Sequence, residues 1–103
     1  MLALNKKYSN VGDVLLEEFL IPLNLKESDL ASMLNVHRNT ISSIVNNRSR
    51  LSTEMAAKLA KALNTSVDFW LNLQMIADIR ALESDKKFQA KLVKVKTLNS
   101  LSR

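Results

Sequence analysis

Apolar residues recur along this chain every three or four positions, the spacing of a single helix face. The pattern predicts five helices and a tail. The first spans about residues 12–21, where Val11, Leu15 and Phe19 recur at every fourth position, Glu17 and Glu18 fall on the other side, and Pro22 stops the helix. The second spans about 27–34 with Leu30, Ala31 and Leu34 on one face; Asn24 and Glu27 have capping-box spacing, although Asn24 falls one turn early. Asn35-Val36-His37 reads as a tight connection, because Asn tolerates the left-handed backbone that such a turn needs. The third helix, about 38–46, buries Ile41, Ile44 and Val45 and leaves Arg38, Asn39, Thr40, Ser42 and Ser43 as short or basic polar positions. A basic loop, Asn47-Arg48-Ser49-Arg50, follows.

Ser52 or Thr53 caps the fourth helix, whose stripe is Ala56, Leu59, Ala60 and Leu63 and whose end is Asn64. Thr65 or Ser66 caps the fifth, with Asp68 favourable in its first turn, and this helix runs to about residue 83. It has two apolar faces: Phe69, Trp70, Leu73, Ile76 and Ala77 on one, Leu71, Met75, Ile79 and Leu82 on the other. A surface helix needs one such stripe. The second asks for a partner, and another copy of the chain is the simplest, so Leu71, Met75, Ile79 and Leu82 are the expected dimerisation surface. The tail stays open: residues 93–97 alternate like a strand, Ala90, Val93 and Thr97 also share a helix face, and disorder or partner-dependent folding stands beside both. The expected architecture is all-α, with an N-terminal arm at 1–10, a helical domain at 11–84 and a basic tail at 85–103.

Composition narrows the classes. A chain of 103 residues is expected to form one domain with a modest core. One Gly and one Pro leave too little turn chemistry for a β-sandwich or barrel. Without Cys there is no disulfide scaffold or thiolate zinc site, and one His makes a histidine metal cluster untenable, so no cofactor is expected. No apolar run approaches the roughly 20 residues of a membrane span. The first seven residues are charged too early for a signal peptide, and the expectation is a cytoplasmic protein. The net charge of +5 resides entirely after residue 84, so bulk charge is a weak argument for nucleic acid and any such claim must come from particular positions.

Those positions lie in residues 27–44. Two short helices are joined by a turn of about three residues; small Ala31 sits where the helices must cross closely, Val36 plugs the core below the turn, and Ile41 and Ile44 anchor the second helix. This is the spacing of a helix-turn-helix. The anchors would aim the start of the third helix outward. Arg can pair with guanine edges or phosphate and Asn with adenine, while short hydroxyls allow close approach to a groove. A plain solvated face would carry Glu and Lys; from Arg38 to Arg50 there is no acid and Arg occurs three times. Arg38, Asn39, Thr40 and Ser43 are therefore the expected base readers, and Ser42, Asn47, Arg48 and Arg50 the expected phosphate contacts, on double-stranded DNA.

Here the residues resemble a known family. Gly12-Asp13-Val14-Leu15-Leu16-Glu17-Glu18-Phe19-Leu20-Ile21-Pro22-Leu23 is similar to the opening of HigA-type antitoxins of the Xre/Cro/repressor helix-turn-helix group. His37-Arg38-Asn39-Thr40-Ile41-Ser42 with Val45-Asn46 resembles that family's turn and recognition helix. Its most distinctive signature resembles Leu59-Ala60-Lys61-Ala62-Leu63-Asn64-Thr65-Ser66 followed by Phe69-Trp70-Leu71-Asn72-Leu73-Gln74. The resemblance covers about residues 10–83. It implies a five-helix, repressor-like homodimer that binds a palindromic operator, represses its own operon and neutralises a HigB/RelE-like mRNA-cleaving toxin, itself having no catalytic role. The chain departs from the family where Glu27 replaces a phosphate-contacting Gln, where Lys26 replaces a Thr cap and where Asn35 replaces Gly; the usual Pro near Val11 is also absent, and the tail after Glu83 has no counterpart.

Other residues invite simpler readings. His37 is either a phosphate contact or a helix cap. Trp70 reads as core or dimer contact, and Met33, Met55 and Met75 as core filler. Glu17 and Glu18 are neighbours that do not converge on one face, which is a solvated face and not a carboxylate pair. Two rivals to the antitoxin remain: a free-standing regulator of the Xre/Cro type without a toxin, and a protein-interaction module. No acid–base constellation suggests an enzyme or a small-molecule substrate.

Overall fold

The computed structural model describes residues 10–101, so residues 1–9 of the expected N-terminal arm lie outside it. Among the described residues the chain is all-helical. Helix α1 is α-helical over Val11–Val14 and continues as a π-helix over Leu15–Leu20; α2 is Glu27–Leu34, α3 Arg38–Val45, α4 Thr53–Leu63, α5 Val67–Ser84 and α6 Lys86–Val93, with a 3₁₀ turn at Asn99–Leu101. The five expected helices form, and a sixth falls in the tail, where the sequence leaves a helix face as one open reading. Asp85 explains it: its carboxylate accepts the Phe88 N–H at 3.0 Å and starts a new helix where α5 stops. No strand forms at 93–97.

The π-helical end of α1 was not foreseen. The Ile21 N–H donates five residues back, to Leu16, at 3.0 Å. Pro22 gives a physical reason, since in α geometry its ring would crowd the Glu18 carbonyl. Capping followed sequence at α4 and α5, where Ser52 and Ser66 hydroxyls accept from Met55 and Phe69. At α2 the N-cap is Lys26, in the place of the family's Thr cap; it offers no acceptor, and only the reverse half of a box forms, from the Lys26 N–H to Asp29 at 2.9 Å.

Four turns close in one way. Asn24, Asn35, Asn47 and Asn64 all have φ between 54° and 58°. The residue after each donates its N–H five residues back: Leu25 to Leu20, Val36 to Ala31, Arg48 to Ser43 and Thr65 to Ala60. This is the helix-ending geometry usually given to glycine, and a chain with a single Gly uses Asn for it.

Trp70, Leu15, Leu30, Ile41 and Leu59 are the largest fully buried side chains, one from each of α1 to α5. Trp70 settles as core: its indole N–H donates to Thr65 Oγ1 at 2.7 Å and its ring lies 5.2 Å from Phe19 and 5.0 Å from Phe69. Gly12 is where α1 meets α3. A Cβ there would stand 2.3 Å from the Ile44 carbonyl oxygen and 2.4 Å from that of Val45. Two methionines depart from the core-filler reading: Met33 and Met75 are exposed, and only Met55 is tucked against the core. Helix α6 packs on α5 and buries no residue fully.

Candidate nucleic-acid interface

Helices α2 and α3 pack on each other with Asn35 at the corner, so the helix-turn-helix geometry forms. Ile41, Ile44 and Val45 point α3 inward. By helical spacing Asn39, Ser43 and Asn46 (i, i+4, i+7) then stand outermost, with Arg38 and Ser42 on one flank and Thr40 on the other. Arg38 and Asn39 are exposed, and Thr40, Ser42 and Ser43 are partly buried. Asn46 was not among the expected contacts, yet it shares this face. Its amide donates to the Ser42 carbonyl at 2.8 Å and reaches Ser42 Oγ at 3.3 Å.

His37 occupies the N-cap position of α3, but its ring makes no capping hydrogen bond, so the cap reading fails for its side chain. The ring is exposed at the start of the helix.

Asn47 departs further from expectation. Its Oδ1 accepts the Gly12 N–H at 2.9 Å and its Nδ2 donates to Asp13 at 3.2 Å. The side chain thus caps α1 from 35 residues away and is used within the protein. Its sequence position beside Arg48 gave no sign of this.

The three arginines differ in their company. Arg38 Nη1 lies 3.6 Å from the Glu27 carboxylate, across the turn. Arg50 pairs with Asp78 of α5. Asp78 also accepts from the Gln74 amide at 2.9 Å, and the Gln74 carbonyl accepts the Leu51 N–H at 2.8 Å, so loop and α5 are tied by one network. The Arg50 hydrogen bond, with that of Gln74, holds the Asp78 carboxyl below the usual carboxylate range. Arg48 makes no ion pair among the described residues and leaves its cation to solvent. These partners are invisible to periodicity; only the fold brings positions 50 and 78 together.

On α5, Met75, Ile79 and Leu82 are 52%, 46% and 44% exposed and stand at i, i+4, i+7. Leu71, expected beside them, is partly buried against its own core. An open groove between α2 and α4, lined by Met33, Leu34, Ala57, Lys58, Lys61 and Ala62, contributes no residue of α3.

A fold in which α2 sets α3 outward, with an acid-free polar face on α3, defines a helix-turn-helix protein. The chain belongs to the helix-turn-helix family, whose model matches residues 16–70. A relative from Haemophilus influenzae, described as an uncharacterized HTH-type transcriptional regulator, is 56% identical over 90% of this chain and 87% of its own length. Antitoxin HigA-1 of Vibrio cholerae is 39% identical over 82% of this chain and 80% of its own length. The solved structure of Pseudomonas aeruginosa antitoxin HigA with the higBA promoter superposes with a TM-score of 0.79 at 28% identity, covering 86% of this chain and 96% of that one.

Proposed function

We propose that this chain is a cytoplasmic, homodimeric repressor that binds a palindromic operator upstream of its own operon. We further propose that it is the antitoxin of a pair, neutralising a HigB/RelE-like mRNA-cleaving toxin. The observation that carries the DNA reading is the outward face of α3, where Arg38, Asn39, Thr40 and Ser43 stand ahead of Arg48 with no acid on the helix itself. Each protomer would set α3 in a major groove, the two grooves about 34 Å apart. Arg38, Asn39, Thr40 and Ser43 read base edges, and Ser42, His37 and Arg48 hold phosphates. Arg50 joins them by exchanging Asp78 for phosphate. Asn47 shapes the loop through its bonds to Gly12 and Asp13, and is not assigned a phosphate.

The antitoxin half is supported by the Vibrio cholerae relative and by the Pseudomonas aeruginosa structure, both described as antitoxins. A second reading, a regulator without a toxin, is favoured by the Haemophilus influenzae relative, which is described as a transcriptional regulator and is more nearly identical. One experiment separates them: co-expression with the neighbouring reading frame, affinity purification, and a gel shift of the purified material on the promoter. A stable complex that shifts the promoter supports the antitoxin. A shift without a co-purifying partner leaves the regulator. In the same assay Arg38→Ala should lose about 1–3 kcal/mol on the operator and relax preference at one base pair. Arg48→Ala should weaken all duplexes alike and reduce the salt slope by about 1. A change of sequence preference in Arg48→Ala would overturn this division of roles.

A further inference from the structure

The acid-free stretch from Arg38 to Arg50 is not free of acid in space. Glu27, the first residue of α2, brings its carboxylate to 3.6 Å from Arg38 Nη1. The side chain of Glu27 is 30% exposed and that of Arg38 58%. A pair so open to water contributes little to folding. Its position is the informative part. The carboxylate sits at the N-terminal end of α2, where the helix dipole favours a negative charge, and it faces the first residue of the helix assigned to base reading. A DNA-binding surface gains affinity for any duplex from each uncompensated cation near phosphate. A carboxylate beside such a cation does the opposite.

We propose that Glu27 is a specificity-determining residue: it positions Arg38 for a base edge and penalises its transfer to the phosphate backbone. This rests on the reading that α3 enters the major groove. An Arg side chain is long and has many rotamers, and the ion pair narrows the set available before DNA arrives. On the operator the guanidinium can reach a guanine edge while one of its remaining N–H groups still faces Glu27, because the guanidinium carries five donors in a fixed fork. On a duplex with no guanine in that register, the phosphates compete for the guanidinium. Taking one means leaving Glu27, whose charge is then unpaired against the same backbone. The penalty therefore falls mainly on non-cognate DNA, and Glu27 acts through Arg38, not by touching a base.

The test uses the full chain as wild type, Glu27→Gln, Arg38→Ala and the double variant. Each is titrated by fluorescence anisotropy against a labelled duplex of its own promoter region and a scrambled duplex of equal length, across a salt series. The Gln variant keeps the shape of the side chain and removes its charge. Glu27→Gln is expected to tighten binding to the scrambled duplex about tenfold and to the promoter much less, so that the ratio of the two affinities falls. The salt slope on the scrambled duplex should steepen by about 1, as one more phosphate contact is made. In the Arg38→Ala background the same substitution should leave the ratio unchanged. Equal tightening on both duplexes would overturn the proposal in favour of plain charge repulsion. An undiminished effect without Arg38 would overturn it in favour of a direct Glu27–base contact. A wild-type chain that prefers neither duplex would remove the DNA reading itself, and this proposal with it, which is distinct from both other failures. Thermal melts of the four proteins show whether a variant has lost its fold, and Glu27→Asp, which keeps the charge and shortens its reach, supplies an independent second variant expected to fall between wild type and Gln.

Discussion

Asn35 and Asn47 share a left-handed backbone and the same closing hydrogen bond, yet they do different things. Asn35 is needed only for its φ. Glycine reaches that conformation without strain, so Asn35→Gly should change stability by no more than a few tenths of a kcal/mol. Asn47→Gly keeps the turn but strips the acceptor from the partly buried Gly12 N–H, and should lose about 1 kcal/mol or more. Urea unfolding of the two variants side by side measures the difference. Asp78 is a second case in which one atom's company decides its role. Its pKa is lowered when folded, chiefly by the hydrogen bond from Arg50. A carboxyl with a lowered folded pKa contributes stability above its unfolded pKa and loses it as pH falls through the folded one. Asp78→Asn should therefore melt below wild type at neutral pH, and the gap should close in acid, below the ordinary aspartate range. Calorimetric melts over a descending pH series read this directly.

At the scale of elements, the start and stop chemistry of α2 to α5 was largely legible. Ser52, Ser66, Asn35 and Asn64 act where local rules place them, because capping and left-handed turns involve residues only a few positions apart. The π-helical end of α1 and the Lys26–Asp29 half-box were not legible, since each depends on which of several near-equal local geometries the packing selects. The α1–α3 contact is the sharpest constraint among elements. Gly12→Ala would drive a Cβ into the backbone oxygens of Ile44 and Val45, which cannot rotate away. The expected result is a loss of about 3 kcal/mol. Chemical denaturation gives the magnitude, and weakened operator binding should accompany it, because α1 backs the helix assigned to the groove.

For the whole molecule, shape joins pattern. The radius of gyration is 17.2 Å and the longest extent 61 Å. A compact domain of this length would have a radius of about 13 Å. The far end of α5 and α6 carry mostly exposed side chains. The stripe of Met75, Ile79 and Leu82 lies on this exposed stretch, which suits a two-fold partner. Ile79→Glu should leave a folded monomer by analytical ultracentrifugation and weaken operator binding at least tenfold, since one half-site is then bound alone. A dimer that persists in Ile79→Glu would move the interface elsewhere.

The helical class, the α2–turn–α3 unit, the buried face of α3 and the polar face opposite it are legible along the chain. Those follow from periodicity and from turn residues, interactions that reach no further than a helical turn or two. Long-range packing settles which polar residues are available. It committed Asn47 to α1, paired Arg38 with Glu27 and Arg50 with Asp78, left Arg48 to solvent, and exposed Met33 where the pattern reads core. Hydrogen bonds and ion pairs between positions 11 to 35 residues apart carry no local signature, because a side chain's partner is set by where packing delivers the backbone and not by its neighbours in the chain.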